Sequence, residues 1–232
     1  MLFAGLGFDI VYILAALLLV LTIHEASHAL VANALGDPTP KSMGRLSLNP
    51  FAHLEPLGVA MILLLGLGWG KPVRIDVEKL KPGPKVGMML VAIAGPISNF
   101  LLALPLSILL RLKIFPLYGN IRIPLDFLPF DIQAVYFGLG PLLMWIVWLS
   151  LALGVFNLLP LAPLDGSRLW QVLLPTKIYF QFARYEIFGL FIVLGLILTD
   201  RFFGTNILAS ILYPPISALW RLFVGITPPF QF

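Results

Sequence analysis

The 232-residue sequence lacks cysteine and has few charged residues. Without cysteine, the chain cannot form disulfides, thiolate metal sites, iron–sulfur clusters or a cysteine nucleophile. Charged residues make up 11% of the sequence, whereas about 25% is usual in a globular protein. The basic residues are scattered and form no stripe, so the net charge of +4 does not indicate a nucleic-acid partner.

Hydrophobic residues, in contrast, make up 59% of the sequence. A soluble fold of this length has too large a surface for its volume to hide so many apolar side chains. The composition therefore predicts an integral membrane protein. The segment MLFAGLGFD at the start contains no Lys or Arg, so no cleavable signal peptide is expected.

Apolar runs of about 20 residues predict membrane-spanning helices. The sequence contains such runs, or close approaches to them, at residues 10–35, 86–112, 135–159, 187–198 and 207–224. The last run is interrupted by Pro214 and Pro215. We expect an all-α polytopic membrane protein with about five transmembrane helices, folded as a single domain over residues 1–232. Its core motifs lie within residues 24–168 and its accessory helices within residues 180–225.

Shorter features lie between and after these spans. The apolar run 57–67 is about half a bilayer long and contains glycines, so it predicts a re-entrant segment. The alternation within residues 73–77 predicts a short β element, and residues 167–174 predict a short amphipathic helix. If 57–67 does not cross, eleven of the fifteen Lys and Arg residues lie on one side. The positive-inside rule assigns that side to the cytoplasm and the N-terminus to the outside.

The first predicted span contains His24-Glu25-Ala26-Ser27-His28. An ionisable group inside a bilayer costs about 2.5–3.5 kcal/mol on insertion scales, so such groups normally serve a function. The two histidines lie one helical turn apart and can bind one metal ion, while Glu25 can activate water without being a ligand. This arrangement is typical of zinc hydrolases. A chance match is disfavoured because two of the three histidines of the chain fall within the motif.

A catalytic zinc ion needs a third protein ligand, and in this chain the candidates are His53, Glu55, Asp165 and Glu186. Asp165 is the best of them, because it follows the third span at a proline-rich break on the same side of the membrane as the end of the first span. An Asp-Gly pair at this position also suits a turn that caps a helix.

The sequence is compatible with more than one role for two further polar residues, Asn157 and His53. Asn157 lies inside the third span, where its amide can stabilise a developing oxyanion or form an interhelical hydrogen bond. His53 is a possible resting metal ligand, substrate contact or structural group. We favour the structural role for His53, because the metal site is complete without it.

Four motifs occur in order between about residues 24 and 168: HEASH in an apolar helix, GRLSLNPFAHLEPLG, AGPISN and NLLPLAPLDG. This ordered set resembles the site-2 protease family of intramembrane zinc metalloproteases. The resemblance implies one zinc ion per chain and the cleavage of transmembrane protein substrates within the lipid bilayer, after local unwinding of the substrate helix. It further implies a prokaryotic inner-membrane protein whose active site faces the cytoplasmic side.

The resemblance also assigns roles to individual residues at matching positions. His24, His28 and Asp165 would bind zinc, Glu25 would activate water, and Asn157 would stabilise the tetrahedral intermediate.

Other matching positions concern packing and substrate binding. Gly95, Pro96 and Asn99 match a packing motif in the second span, where Asn99 has a possible structural or substrate-binding role. A strand from residues 44–49 or 73–77 would clamp the extended substrate. The chain carries neither the peptide-binding module nor the nucleotide-sensing domain of larger relatives, so a compact form of the family is expected.

Other functional classes fit the sequence less well. A metal transporter should have ligands strung along a path, whereas the strong ligands here converge at one end of two spans. An inactive relative that acts as a chaperone should lack Glu25. A serine-type protease needs a free histidine, and an aspartyl type needs a second well-placed intramembrane aspartate.

Overall fold

A computed structural model describes residues 9–55, 70–115, 139–175 and 186–229, together with positions 58, 178 and 181. The fold of this part of the chain is helical. Its α-helices, in chain order, are α1 (Asp9–Ala34), α2 (Thr39–Ser42), α3 (Pro84–Arg111), α4 (Leu139–Asn157), α5 (Asp165–Gln171), α6 (Glu186–Phe203) and α7 (Ile207–Val224). Two 3₁₀ turns cover Pro50–Ala52 and Val77–Lys79.

Four of the described helices, α1, α3, α4 and α7, are long and apolar enough to cross a membrane. This confirms the prediction of an all-α polytopic membrane protein, but not the count of five spans. The apolar part of α6, Phe188–Asp200, is shorter than a span. The predicted interruption of the last span is absent, since α7 continues through Pro214 and Pro215.

The core lies where α1, α3, α4 and α7 pack together. Small side chains on α1, such as the fully buried Ala16, allow close helix contacts. Val20 of α1 joins the same cluster as Val147 of α4. On the far side of α4, the indole of Trp148 meets that of Trp220 edge-on, with ring centroids 5.7 Å apart. Most of this core lies towards the end of the bundle opposite the polar residues of α1.

The chain leaves α1 and enters α3 at the same end of the bundle. Gly36 ends α1 with φ of +107°, a conformation that favours glycine. The carbonyl oxygen of Leu35 accepts a hydrogen bond of 2.9 Å from the amide of Lys81, just before α3 begins. This return agrees with the expectation that the intervening segment does not cross, although the predicted re-entrant run 57–67 lies almost wholly outside the described residues.

A buried carboxylate holds this connection together. Asp37 accepts hydrogen bonds from the amide of Thr39 at 2.9 Å and from the amide of Asp76 at 2.8 Å. Burial alone would raise the pKa of the Asp37 carboxyl, but the hydrogen bonds from Thr39 and Asp76, with the nearby charge of Lys79, lower that pKa below its ordinary value. Asp37 therefore joins the end of α1 to the segment that precedes α3.

The predicted β strands are not confirmed within the described residues. Residues 44–49 are irregular, and residues 73–76 belong to no strand. The amide of Asp76 donates to Asp37 instead of to a strand, and Val77 already begins a 3₁₀ turn. The described part of the chain contains instead an isolated antiparallel bridge between Leu54 and Gly70.

Candidate metal centre

The two histidines of the HEASH motif lie side by side on the buried face of α1. His24 and His28 are 4% and 8% exposed. Their ring centroids are 4.7 Å apart and their planes are nearly perpendicular. His24 is ten residues before the end of α1, or about 15 Å along the helix axis at 1.5 Å per residue. The pair therefore lies well inside the span.

Asp165 reaches these histidines from the chain that follows α4. Its Oδ2 atom is 3.1 Å from Nε2 of His24 and 3.4 Å from Nε2 of His28. Gly166 makes this approach possible, since a Cβ atom there would lie 2.3 Å from the carbonyl oxygen of Leu158. The sequence prediction that Asp165 joins the two histidines agrees with this geometry.

Helix α3 supports both imidazoles from the opposite side. Nδ1 of His28 lies 2.8 Å from the carbonyl oxygen of Val91. Nδ1 of His24 lies 3.1 Å from the side-chain amide of Asn99. Between them, Gly95 leaves room for the rings, because a Cβ atom there would lie within 2.6 Å of both. In each histidine, therefore, Nδ1 contacts a residue of α3 and Nε2 points at Asp165.

This donor set fits a tetrahedral metal ion. The three ligand atoms of His24, His28 and Asp165 all lie within 4.8 Å of one another. With metal–ligand bonds of about 2.0–2.2 Å, two ligand atoms of a tetrahedral zinc ion lie about 3.3 Å apart. The distances of 3.1 and 3.4 Å from Asp165 to the two Nε2 atoms match that spacing. Two imidazoles and one carboxylate are also a typical catalytic zinc set.

Glu25 lies next to these groups but outside the set. It lines a pocket of about 260 Å³ together with His24, His28 and Asp165. The rest of the lining comprises Pro72, Val73, Ile75, Met88, Val91, Ala92, Asn157, Pro163 and Arg168. The pocket thus brings a carboxylate, the candidate ligands and a basic side chain together in one concave site.

The bridge between Leu54 and Gly70 lies against Glu25. The amide of Lys71 donates a hydrogen bond of 2.7 Å to the carbonyl oxygen of His53. A Cβ atom on Gly70 would lie 3.6 Å from Oε1 of Glu25. The β-like pairing therefore reaches the site at a different place from either predicted strand.

Asn157 occupies the last position of α4 and lines the pocket. Its side-chain amide donates a hydrogen bond of 3.0 Å to the carbonyl oxygen of Leu153, one turn earlier in the same helix. The interhelical hydrogen bond considered from the sequence is therefore replaced by an intrahelical one. In this position the amide is near the ligands but is not directed at them.

The other candidates for the third metal ligand are His53, Glu55 and Glu186. His53 is 2% exposed, and its Nε2 donates a hydrogen bond of 2.7 Å to the carbonyl oxygen of Ser47. Arg45, also buried, donates to the carbonyl of Ala52, so both side chains shape the 45–53 loop. His53 and Glu55 are outside the ligand group formed by the described residues, and the side chain of Glu186 lies outside the described part of the chain.

Sequence reasoning missed three contributors to the site. Gly70 and Gly166 allow close approach of the backbone, and their only signal was an isolated glycine next to a motif. Arg168 lines the pocket and bonds Gln171 at 3.2 Å. Its position two residues after Gly166 could have marked it as a site residue.

Comparison with known proteins gives the family. The family model of Peptidase family M50 matches residues 113–199, a segment that includes Asn157 and Asp165. A protein of Bacillus subtilis (strain 168) named "Putative zinc metalloprotease YwhC" is 36% identical over 218 residues, which cover 94% of this chain and 93% of that protein. The chain belongs to peptidase family M50.

More distant relatives of this M50 chain have similar names. "Putative zinc metalloprotease Rip2" of Mycolicibacterium smegmatis is 28% identical over 195 residues, covering 82% of this chain and 67% of that protein. "Zinc metalloprotease MJ0392" of Methanocaldococcus jannaschii is 28% identical over 155 residues, covering 67% of this chain and 32% of that protein. No solved structure matches the chain. Family and relatives agree that the metal cofactor is zinc.

Proposed function

We propose that this M50 chain is a zinc-dependent intramembrane endopeptidase that hydrolyses peptide bonds in or near the transmembrane segments of other membrane proteins. The observation that carries the proposal is the convergence of His24, His28 and Asp165 around one point, with Glu25 beside them in the same pocket. A transporter needs no such carboxylate next to a closed ligand set.

The ligands of the zinc ion in this proposal are Nε2 of His24, Nε2 of His28 and a carboxylate oxygen of Asp165. Bound zinc polarises the scissile carbonyl and makes water more acidic. Glu25 takes a proton from the attacking water and later transfers it to the leaving amine, as a general base and then a general acid. Because Glu25 is not a ligand, its carboxylate is free to carry that proton.

Asn157 stabilises the negative charge that develops on the carbonyl oxygen. Its side-chain amide donates to Leu153 in the structure, so a rotation of the side chain on substrate binding is required to direct it into the pocket. The rotation exchanges a neutral hydrogen bond for one to a charged oxygen, and bonds of that kind are about twice as strong.

The substrate binds in an extended conformation. Val73 and Ile75 line the pocket and have no strand partner among the described residues. They offer backbone groups to a substrate strand, which fits regulated intramembrane proteolysis of helices that unwind locally.

The active site opens towards the cytoplasmic side of a prokaryotic inner membrane in this proposal. The exposed Lys71, Arg74 and Lys79 all lie in the segment that leads from the pocket to α3. Basic residues of short loops remain on the cytoplasmic side during insertion.

The test compares wild-type protein with Glu25→Gln, using metal analysis and cleavage of a model transmembrane substrate. Both proteins should contain about one zinc ion per chain, and the variant should cleave at least about 10²-fold more slowly, the lower end of what general acid–base catalysis contributes. Glu78→Gln, a substitution of an exposed glutamate outside the pocket, is the matched control. Near wild-type cleavage by Glu25→Gln contradicts the mechanism. Absence of cleavage by wild type together with zinc flux across liposomes favours a transporter.

A further inference from the structure

A carboxamide and an imidazole meet in the buried space between α1 and α3. Asn99 is completely buried, and its Nδ2 atom lies 3.1 Å from Nδ1 of His24. Its other polar atom, Oδ1, is buried without a hydrogen-bond partner. A buried amide oxygen without a partner is costly, so an explanation is required.

The contacts of His28 indicate which protonation state His24 needs in order to bind a metal ion. The Nδ1 atom of His28 faces the carbonyl oxygen of Val91, which can only accept, so Nδ1 of His28 carries a proton, and in the neutral ring Nε2 then carries the lone pair. Nε2 of His24 faces Asp165 in the same way as Nε2 of His28. If both Nε2 atoms bind one metal ion, Nδ1 of His24 must also carry a proton and must find an acceptor.

Asn99 offers the acceptor in the right place. The oxygen and nitrogen of a carboxamide exchange places on a 180° rotation that leaves the shape of the side chain unchanged. After this rotation Oδ1 faces the proton on Nδ1 of His24. The rotation gives Oδ1 a donor and places Nδ2 at the position where Oδ1 had none.

The positions along α3 support this assignment. Val91, Gly95 and Asn99 are spaced by four residues and therefore follow one face of the helix. The first provides a carbonyl acceptor for His28 and the second leaves space for both rings. The third lies one turn further on, against His24.

We propose that Asn99 is a positioning residue for the metal centre, whose Oδ1 accepts the Nδ1 proton of His24 and so directs the Nε2 lone pair at the zinc ion. The inference depends on the ligand set of the proposed function, but not on cleavage of any substrate. Asn99 orients the ring of His24 and excludes the tautomer that cannot bind the metal.

The test measures zinc affinity of the purified protein in detergent by competition with a chelator. Asn99→Leu removes the acceptor and should weaken zinc binding about 10–100-fold, the usual cost of losing such a partner. Asn99→Asp keeps an acceptor and cannot donate, so it should bind zinc within a few-fold of wild type. Ser107→Ala, at another fully buried position of α3, is the control and should leave the affinity unchanged.

The aspartate variant distinguishes the two amide orientations. If Nδ2 of Asn99 donates to His24, Asn99→Asp should be as weak as Asn99→Leu, and that result overturns the proposal. Wild-type affinity in Asn99→Leu overturns it as well. Failure of wild type to bind zinc contradicts the ligand set, whereas the expected affinities without any cleavage contradict only the peptidase function.

A measurement on wild type covers the case in which a variant does not fold. The chain has three histidines, so ¹⁵N-histidine NMR of the zinc-loaded protein can resolve their tautomers. We expect two rings protonated at Nδ1, those of His24 and His28, and one protonated at Nε2, that of His53. A single ring protonated at Nδ1 overturns the proposal.

Discussion

A Cβ atom on Gly95 would lie 2.5 Å from Cε1 of His24. That is far inside the contact distance of about 3.5–4.0 Å between non-bonded carbon atoms. It would also lie 2.6 Å from Nε2 of His28, the atom proposed as a metal ligand. The absence of a side chain at this position of α3 is therefore a condition for the geometry of both imidazoles.

Gly95→Ala should reduce zinc binding and peptidase activity together. The added methyl group displaces both rings, and a metal site tolerates little displacement of its ligands. Metal analysis and cleavage of a transmembrane substrate check the prediction. Gly195→Ala, where an added Cβ atom meets nothing within 4 Å, is the matched control. Full zinc content in Gly95→Ala would show that α3 can move away without cost.

Asp165→Ala should lose both zinc and activity, because it removes a proposed ligand. Asn157→Ala should retain zinc and lose about 10²–10³ in kcat, the usual effect of removing one oxyanion donor. Equal zinc loss in both variants would contradict the separation of ligand and stabiliser. Both residues lie in the segment that matches the family, so the comparison also tests that segment directly.

A single cysteine at position 79 should react only from the cytoplasmic side. The chain has no cysteine of its own, and the side chain of Lys79 is 52% exposed. Lys113→Cys, at an exposed position beyond the opposite end of α3, should react only from outside. Labelling of intact cells with an impermeant maleimide checks both sites, and a reversed pattern would contradict the proposed orientation.

Asp37→Asn should destabilise the protein at neutral pH by about 1.5–3 kcal/mol, the range for hydrogen bonds to a charged group. An amide cannot accept from both Thr39 and Asp76 at the positions of the two carboxylate oxygens. The pKa of Asp37 is lowered in the folded protein, so its contribution is complete above the unfolded pKa, which is about 3.9. The contribution is then lost as the pH falls through the lower folded pKa.

Thermal unfolding in detergent from pH 7 to pH 3 measures this dependence. The difference in Tm between wild type and Asp37→Asn should be largest at neutral pH and should shrink below about pH 4. Glu78→Gln, at an exposed position nearby, should unfold like wild type throughout. A difference that grows on acidification would contradict the role of the charged carboxylate.

The proximity of His24 and His28 could be predicted from the sequence. His24, Glu25 and His28 are placed by helical periodicity within one segment, so their relation needs no knowledge of the tertiary fold. Asp165 was the best of four candidates, because the break after the third span narrowed the choice. The contact between Asn99 and His24 was not predicted, since 75 residues separate the two and nothing local pairs them.

The predicted β element shows that an alternation of apolar residues does not by itself identify a strand. Val73 and Ile75 alternate with polar residues as in a strand, but in the structure both line the pocket. Pro72 has no amide hydrogen to donate, and Asp76 gives its own to Asp37. The observed bridge depends on Gly70, whose closeness to Glu25 could not be inferred from residue type.

The face of α3 formed by Val91, Gly95 and Asn99 should couple the two histidines thermodynamically. Both His24 and His28 rest on this one face. Substitutions at positions 95 and 99 should therefore be non-additive in zinc affinity, since each alters a support on which the other depends. A double-mutant cycle would measure the interaction energy, and metal affinity in this chain becomes a property of the pair of helices rather than of three separate ligands.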